Sequence, residues 1–202
     1  MWTLVPLGNP GPDYQDTRHN LGRLMLQRWM ADRDLSPAPK KRFPSGTLYP
    51  LTERLQALVP GTYMNLSGEV CAQAAAAGIY PRHLILLYDD KDLPLGMGRF
   101  RLDGSDAGHN GLRSVFTCLG TQDIARLRLG IGPFERPLVD FVLGHWTNSE
   151  WARIEAMDQP FARFLEALLG VEDLDRIPNL ANPSEFWDQA DGCGTRRDQG
   201  KT

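Results

Sequence analysis

Asn9, His19, Asn65, Asp89, His109 and Asn110 sit in short junctions punctuated by glycine or proline, each at the edge of an apolar segment. Three carboxamides, two imidazoles and a carboxylate offer directional hydrogen bonds and a base, which suits acyl-bond hydrolysis better than redox chemistry. His19 lies in Thr17-Arg18-His19-Asn20, where the chain enters a helix. A neutral imidazole there, with an ordinary pKa of about 6.5, could take a proton from water. Such a base needs a partner to hold its tautomer, and Asp89, at the end of an apolar run, is the natural candidate. Each residue also has a plainer role open to it. His19 and Asn65 could cap helices, Asn9 and Asp89 could form turns, and Asn110 could supply a positive φ between glycines. Met64 could line an apolar wall or simply fill core.

The elements that must position these groups alternate between strand and helix. Trp2–Leu7 reads as a first strand, closed by Gly8-Asn9-Pro10-Gly11-Pro12, and Asn20–Ala31 as a helix. A basic, proline-rich loop over 36–45 leads to a predicted hairpin of strands at Gly46–Tyr49 and Leu55–Val59. Asn65–Ala77 reads as a helix capped by Asn65 or Ser67 and closed by Gly78. Leu84–Tyr88 has the continuous apolar character of a buried strand, with Asp89-Asp90 at its edge. Arg99–Leu102, Ala125–Gly130 and Leu138–Leu143 read as further strands, and Leu112–Leu119 as a helix stopped by Gly120. Thr147 and Glu150 have capping-box spacing, and Pro160 should kink or divide the helix that follows. This pattern predicts an α/β three-layer sandwich: a mixed, mostly parallel twisted sheet flanked by helices, forming one domain over 1–189. The polar, glycine-rich stretch 190–202 reads as a disordered tail.

A chain of 202 residues with 42% hydrophobic content has a sizeable core available without disulfides or metal staples. Cys71, Cys118 and Cys193 are odd in number and widely spaced, which points to a reducing, cytoplasmic setting. No secretory signal or membrane-spanning stretch is legible, so no membrane partner is expected. The net charge of −3 hides a split: residues 1–146 carry 16 Lys/Arg against 14 Asp/Glu, and residues 147–202 carry 6 against 11. Arg99, Arg101, Arg113, Arg126 and Arg128 fall within thirty positions, compatible with one RNA-binding face as well as with a mixed solvated surface.

Several blocks resemble the signatures of bacterial peptidyl-tRNA hydrolases. They are Gly8-Asn9-Pro10-Gly11 with Tyr14, Thr17-Arg18-His19-Asn20, Tyr63-Met64-Asn65-Leu66-Ser67-Gly68, Asp89 to Pro94, Gly108-His109-Asn110-Gly111-Leu112, Gly120 to Asp123, Arg126 to Gly132 and Asp140 to Gly144. They occur in family order over about residues 1–170. The resemblance implies an esterase that cuts a peptidyl group from the 3′ end of tRNA, without metal or organic cofactor; a monomer is the default expectation. By that likeness His19 would be the base, Asp89 its orienting partner and Asn9 part of the catalytic set. Asn65, Asn110 and His109 would hold the substrate, Tyr14 and Met64 would line the cleft, and Arg101 and Arg128 would contact tRNA phosphates. Four features depart from the pattern: Pro6, Asp106 with Ala107 before Gly108, Gly61, and the Cys193-bearing tail. Pro6 should end its strand or sit unpaired, and Asp106 and Ala107 should stiffen their loop.

Three other readings compete. A non-catalytic RNA-binding relative is disfavoured by retention of both His19 and Asp89. A metallohydrolase using His19, Asp89 and His109 lacks H-x-x-x-H or H-E-x-x-H spacing. Nucleotide binding by the 104–111 loop lacks G-x-G-x-x-G and the P-loop lysine.

Overall fold

A computed structural model describes residues 1–188 of the chain, Arg136 excepted. The expected tail over 190–202, with Cys193, lies outside those residues. Seven strands are present among them: β1 (Trp2–Pro6), β2 (Lys41–Phe43), β3 (Gly46–Pro50), β4 (Leu55–Pro60), β5 (Leu84–Pro94), β6 (Gly98–Arg101) and β7 (Ala125–Gly132). They form a mixed sheet in the order β2-β3-β4-β1-β5-β7-β6. The central run β4-β1-β5-β7 is parallel, and the three pairings at the margins are antiparallel.

The helices are α1 (Leu21–Ala31), α2 (Gly68–Ala76), α3 (Asn110–Leu119), α4 (Leu138–Leu143), α5 (Asn148–Ala156), α6 (Asp158–Gly170), α7 (Ile177–Ala181) and α8 (Ser184–Trp187). Alternation along β5 separates two cores, because successive strand side chains face opposite ways. Ile85 and Leu87 pack with α1, α5, α6 and α7. Leu84, Leu86 and Tyr88 pack with α2 and α3. The result is the three-layer arrangement the sequence predicts.

Several boundaries carry physical lessons. Leu138–Leu143 is a helix rather than a strand. Its β-branched and aromatic content favours strands locally, but Pro137 starts a turn and Leu138, Val139 and Val142 then share a helical face. Lys41–Phe43, read as loop, pairs with β3 as an edge strand. Strand β5 runs on through Asp89 and Asp90 to Pro94, with a register shift after Asp90, so the two acids lie within the strand. Helix α2 starts later than expected and neither Asn65 nor Ser67 caps it by side chain. Pro6 does end β1. Leu7 N–H bonds Leu87 on one side, so Pro6 faces β4, whose pairing with β1 has already ended at Leu4. The helix after the Thr147–Glu150 capping box is divided at Met157, leaving Pro160 in the first turn of α6, where proline is tolerated.

Two contacts fix what the site needs. A Cβ on Gly22 would lie 2.2 Å from the Leu87 carbonyl oxygen, so glycine lets α1 lie directly against β5 just before Asp89. At the far edge, Phe100 of β6 donates to Asn182 Oδ1 (2.7 Å) and accepts from Asn182 Nδ2 (2.9 Å). Trp187 covers Gly98 on the same strand.

Candidate active site

His19 occupies a short 3-10 turn, Arg18–Asn20, leading into α1. Asp89 lies in β5, and His109 precedes α3. The three converge from separate elements. His19 Nδ1 lies 3.0 and 3.1 Å from the two Asp89 carboxylate oxygens, and His109 Nε2 lies 3.1 Å from Oδ1. The tautomer of His109 follows from its other nitrogen. Nδ1 accepts from the Gly111 and Leu112 N–H groups at 3.2 and 3.3 Å, so the proton sits on Nε2 and is donated to Asp89. His109 is thus the cap of α3, a role the sequence reading did not assign.

Asp89 is only 3% exposed. Burial alone would push its pKa up, but the two imidazoles outweigh that and hold it well below the usual carboxylate range. For His19, burial opposes the charged form, yet the charge and hydrogen bond of Asp89 prevail and raise its pKa above 6.5. With Nδ1–H turned to Asp89, the free lone pair of a neutral His19 is on Nε2. His19, Asp89, His109 and Asn110 line a cavity of about 90 Å³ together with Leu138, Val139 and Val142 of α4.

Asn9 is held on every side. Its backbone N–H bonds Asn20 Oδ1 (2.8 Å), its carbonyl accepts from Asn20 Nδ2 (2.9 Å), and its Oδ1 accepts from Met64 N–H (2.8 Å). That leaves the Asn9 amide NH2 as a donor. Asn20, fully buried, is the residue that sequence reasoning missed; it stood inside the Thr17–Asn20 block without an assigned role. Met64 contributes its backbone amide, while its side chain is 3% exposed in the α2–α3 core rather than on the cleft wall. Asn65 and Asn110 are both exposed and without a hydrogen-bond partner among the described residues; Asn110 lines the cavity and Asn65 sits on the turn beside Met64. Tyr14 is half-buried and meets Tyr63 edge-on, with centroids 6.1 Å apart.

The two arginines expected to meet RNA differ. Arg101 is exposed, with no partner among the described residues. Arg128 is half-buried and donates from Nε to Asp90 Oδ2 at 2.7 Å, a bond that keeps its charge despite burial. Arg126, from the same sequence cluster, is 2% exposed and bonds the carbonyls of Gln122, Ile124 and Ser105. Asp106 behaves as expected of a stiffening residue: its carboxylate accepts from Gly108 N–H (2.7 Å) and pairs with Arg113 (3.5 Å). Ala107 holds a left-handed φ of 46°.

His19, Asp89 and His109 are also the group among the described residues whose ligand atoms, within 4.8 Å of one another, suit a metal ion. Both rings instead meet the carboxylate at hydrogen-bond distances, each with a proton to give.

The fold and this cluster together define an α/β protein with a buried His–Asp–His set opening onto a cleft at the carboxyl side of its sheet. The chain belongs to the peptidyl-tRNA hydrolase family, whose profile matches residues 3–187. It is 38% identical over 185 residues to the peptidyl-tRNA hydrolase of Thermotoga petrophila, covering 90% of this chain and 97% of that protein. It is 40% identical over 157 residues to the Bacteroides fragilis enzyme of the same name, covering 76% and 84%. The crystal structure of peptidyl-tRNA hydrolase from Acinetobacter baumannii superposes with a TM-score of 0.78 at 27% identity, over 91% of this chain and 95% of that one.

Proposed function

We propose that this protein hydrolyses the ester joining a peptidyl or N-blocked aminoacyl group to the 3′ end of tRNA, with His19 as the base. The carrying observation is the double contact of His19 Nδ1 with Asp89, which presents the imidazole in the tautomer whose Nε2 can accept a proton. Water in the cleft would lose its proton to Nε2 as it attacks the ester carbonyl, and the tetrahedral intermediate would then expel the ribose 3′ oxygen, which takes that proton from Nε2 and restores neutral His19. The His19 cation that forms is stabilised by Asp89, whose ionised state is in turn held by His109. The Asn9 NH2 group, fixed through Asn20 and Met64, is preorganised to donate to the developing oxyanion, and such preorganisation is worth more in a cleft than in water. Asn65 and Asn110 would bind the peptide groups, with Tyr14 beside them. As Met64 is core, its part is to hold Asn9.

Arg101, unpaired among the described residues, would neutralise a tRNA phosphate, and Arg128 would add charge while anchoring Asp90. The reading takes the enzyme to be a cytoplasmic monomer. No helix among the described residues is long and apolar enough to cross a membrane.

The discriminating experiment is hydrolysis of N-acetyl-aminoacyl-tRNA beside free aminoacyl-tRNA, with and without a chelator. Cleavage of the first alone, unchanged by chelation, is expected. Binding of tRNA without turnover would leave an accessory RNA-binding role. Loss of activity on chelation would return His19, Asp89 and His109 to a metal.

A further inference from the structure

Arg18 precedes His19, and its guanidinium gathers a different part of the chain. Nη2 donates to both Glu150 oxygens (2.7 and 2.9 Å), and Nη1 to the carbonyls of His145 (3.1 Å) and Phe141 (3.4 Å). The same group lies 4.9 Å from the Phe141 ring and 5.1 Å from that of Trp146. The Arg18 backbone N–H bonds the Gly144 carbonyl at 3.2 Å, and Thr17 bridges His145. One residue therefore ties the end of α4, the turn after it and the first turn of α5 to the backbone that carries His19.

That tie is the main anchor of α4, which packs chiefly on the 18–20 turn. The helix has little else to hold it: it is six residues long, has no fully buried residue, sets only Phe141 and Val142 partly against the core, and leaves Val139 64% exposed. Its Leu138, Val139 and Val142 form the apolar wall of the cleft. Gly144 is part of the device, because a Cβ there would meet Arg18 Nη1 at 2.7 Å.

We infer that Arg18 and Glu150 are positioning residues that latch the α4 wall at a fixed distance from His19, and so set the apolar surface on which the ester substrate lies. The inference rests on the proposed hydrolysis. The planar fork of arginine makes two parallel bonds to a carboxylate while stacking on aromatic faces, which lysine cannot reproduce. Wall contacts are made in the ground state and the transition state alike, so loosening them acts on KM. Asp89 holds His19 independently, so the base itself is untouched.

Arg18→Lys and Glu150→Gln test this with little threat to the fold, because glutamine still serves at the third position of a capping box. Each should raise KM for N-acetyl-aminoacyl-tRNA about tenfold, with kcat within about twofold and the acid limb of the pH profile unmoved. The Arg18→Lys/Glu150→Gln double variant should be no worse than the weaker single one. A fall in kcat at constant KM, a shifted acid limb, additive losses or parental kinetics would each overturn the latch. Limited proteolysis reads it without turnover: both single variants should be cut sooner within 137–146, and unchanged cutting counts against it. An inactive parent protein would instead sink the proposed hydrolysis, while proteolysis still decides the latch.

Discussion

Two polar regions lie on neighbouring strands of this sheet and are built in opposite ways. Around Asp89, each group is fixed by partners drawn from separate elements. His19 and His109 share one carboxylate, and the backbone of Asn9 is clasped by Asn20. On the β6–β7 edge, Arg99 is directly opposite Arg128 and Arg101 opposite Arg126, so four arginines share one face. Their states nonetheless differ. Arg126 is buried on carbonyls and stacked 4.7 Å from the Phe116 ring, Arg128 is paired with Asp90, and Arg99 and Arg101 stay open to solvent. The first region suits chemistry, which needs fixed geometry. The second suits a phosphate backbone, which rewards accessible charge and tolerates loose geometry.

Breaking the fixed region should cost most. His19→Ala should lower single-turnover hydrolysis by about 10²–10⁴-fold while tRNA affinity stays near the parent's; parental turnover would refute the base. Because Asp89 raises the His19 pKa, the neutral, active imidazole accumulates only as pH rises through a value above 6.5. Asp89→Asn removes the charge that opposes burial, so the acid limb of kcat/KM should move to lower pH as turnover falls. A limb that does not move would mean that another group titrates.

The arginine edge sharpens the comparison with smaller effects. Arg126→Met strips three carbonyls of their donor and should destabilise the fold by about 1–3 kcal/mol in denaturant melts. Arg101→Ala should leave the melt unchanged but weaken tRNA binding and flatten its salt dependence by about one unit of slope. If the two variants behaved alike, the division between buried and open arginines would be wrong. Smallest of all, Asp106→Ala removes the bond to Gly108 N–H and an exposed ion pair. It should cost about 0.5–1.5 kcal/mol at most and speed amide exchange at Gly108.

Where the sequence was legible, local chemistry and tertiary role agreed. Glycines at 78 and 120 close helices with positive φ, and Thr147 and Glu150 make the capping box their spacing announces. The apolar run before Asp89 is a buried strand, which brings the carboxylate between His19 and His109. Misreadings fell where tertiary contacts decide. Leu138–Leu143 has strand-like residues but is held as a helix by Arg18 and its neighbours. Lys41–Phe43 becomes a strand only because β3 offers an edge. Met64 could face cleft or core, and nothing local distinguishes the two until α2 and α3 pack on it. Arg126 and Arg128 look alike in Arg-Leu-Arg-Leu, and only Asp90 and the 122–124 carbonyls tell them apart. Asn20 carries no signal of its own, since its work is to bond the backbone of a residue eleven positions away.

The side chain of Asn182 has a consequence for the molecule in a crowded cell. By offering one acceptor and one donor to Phe100, it satisfies the outward-facing N–H and C=O of that residue on the terminal strand, and Trp187 lies over Gly98 two residues earlier. A bare strand border is a template on which a second polypeptide can polymerise, and charged side chains, coverings or bulges are the usual protections. Here the protection is a single carboxamide imitating the next strand, which leaves the side chains of Arg99 and Arg101 open to solvent.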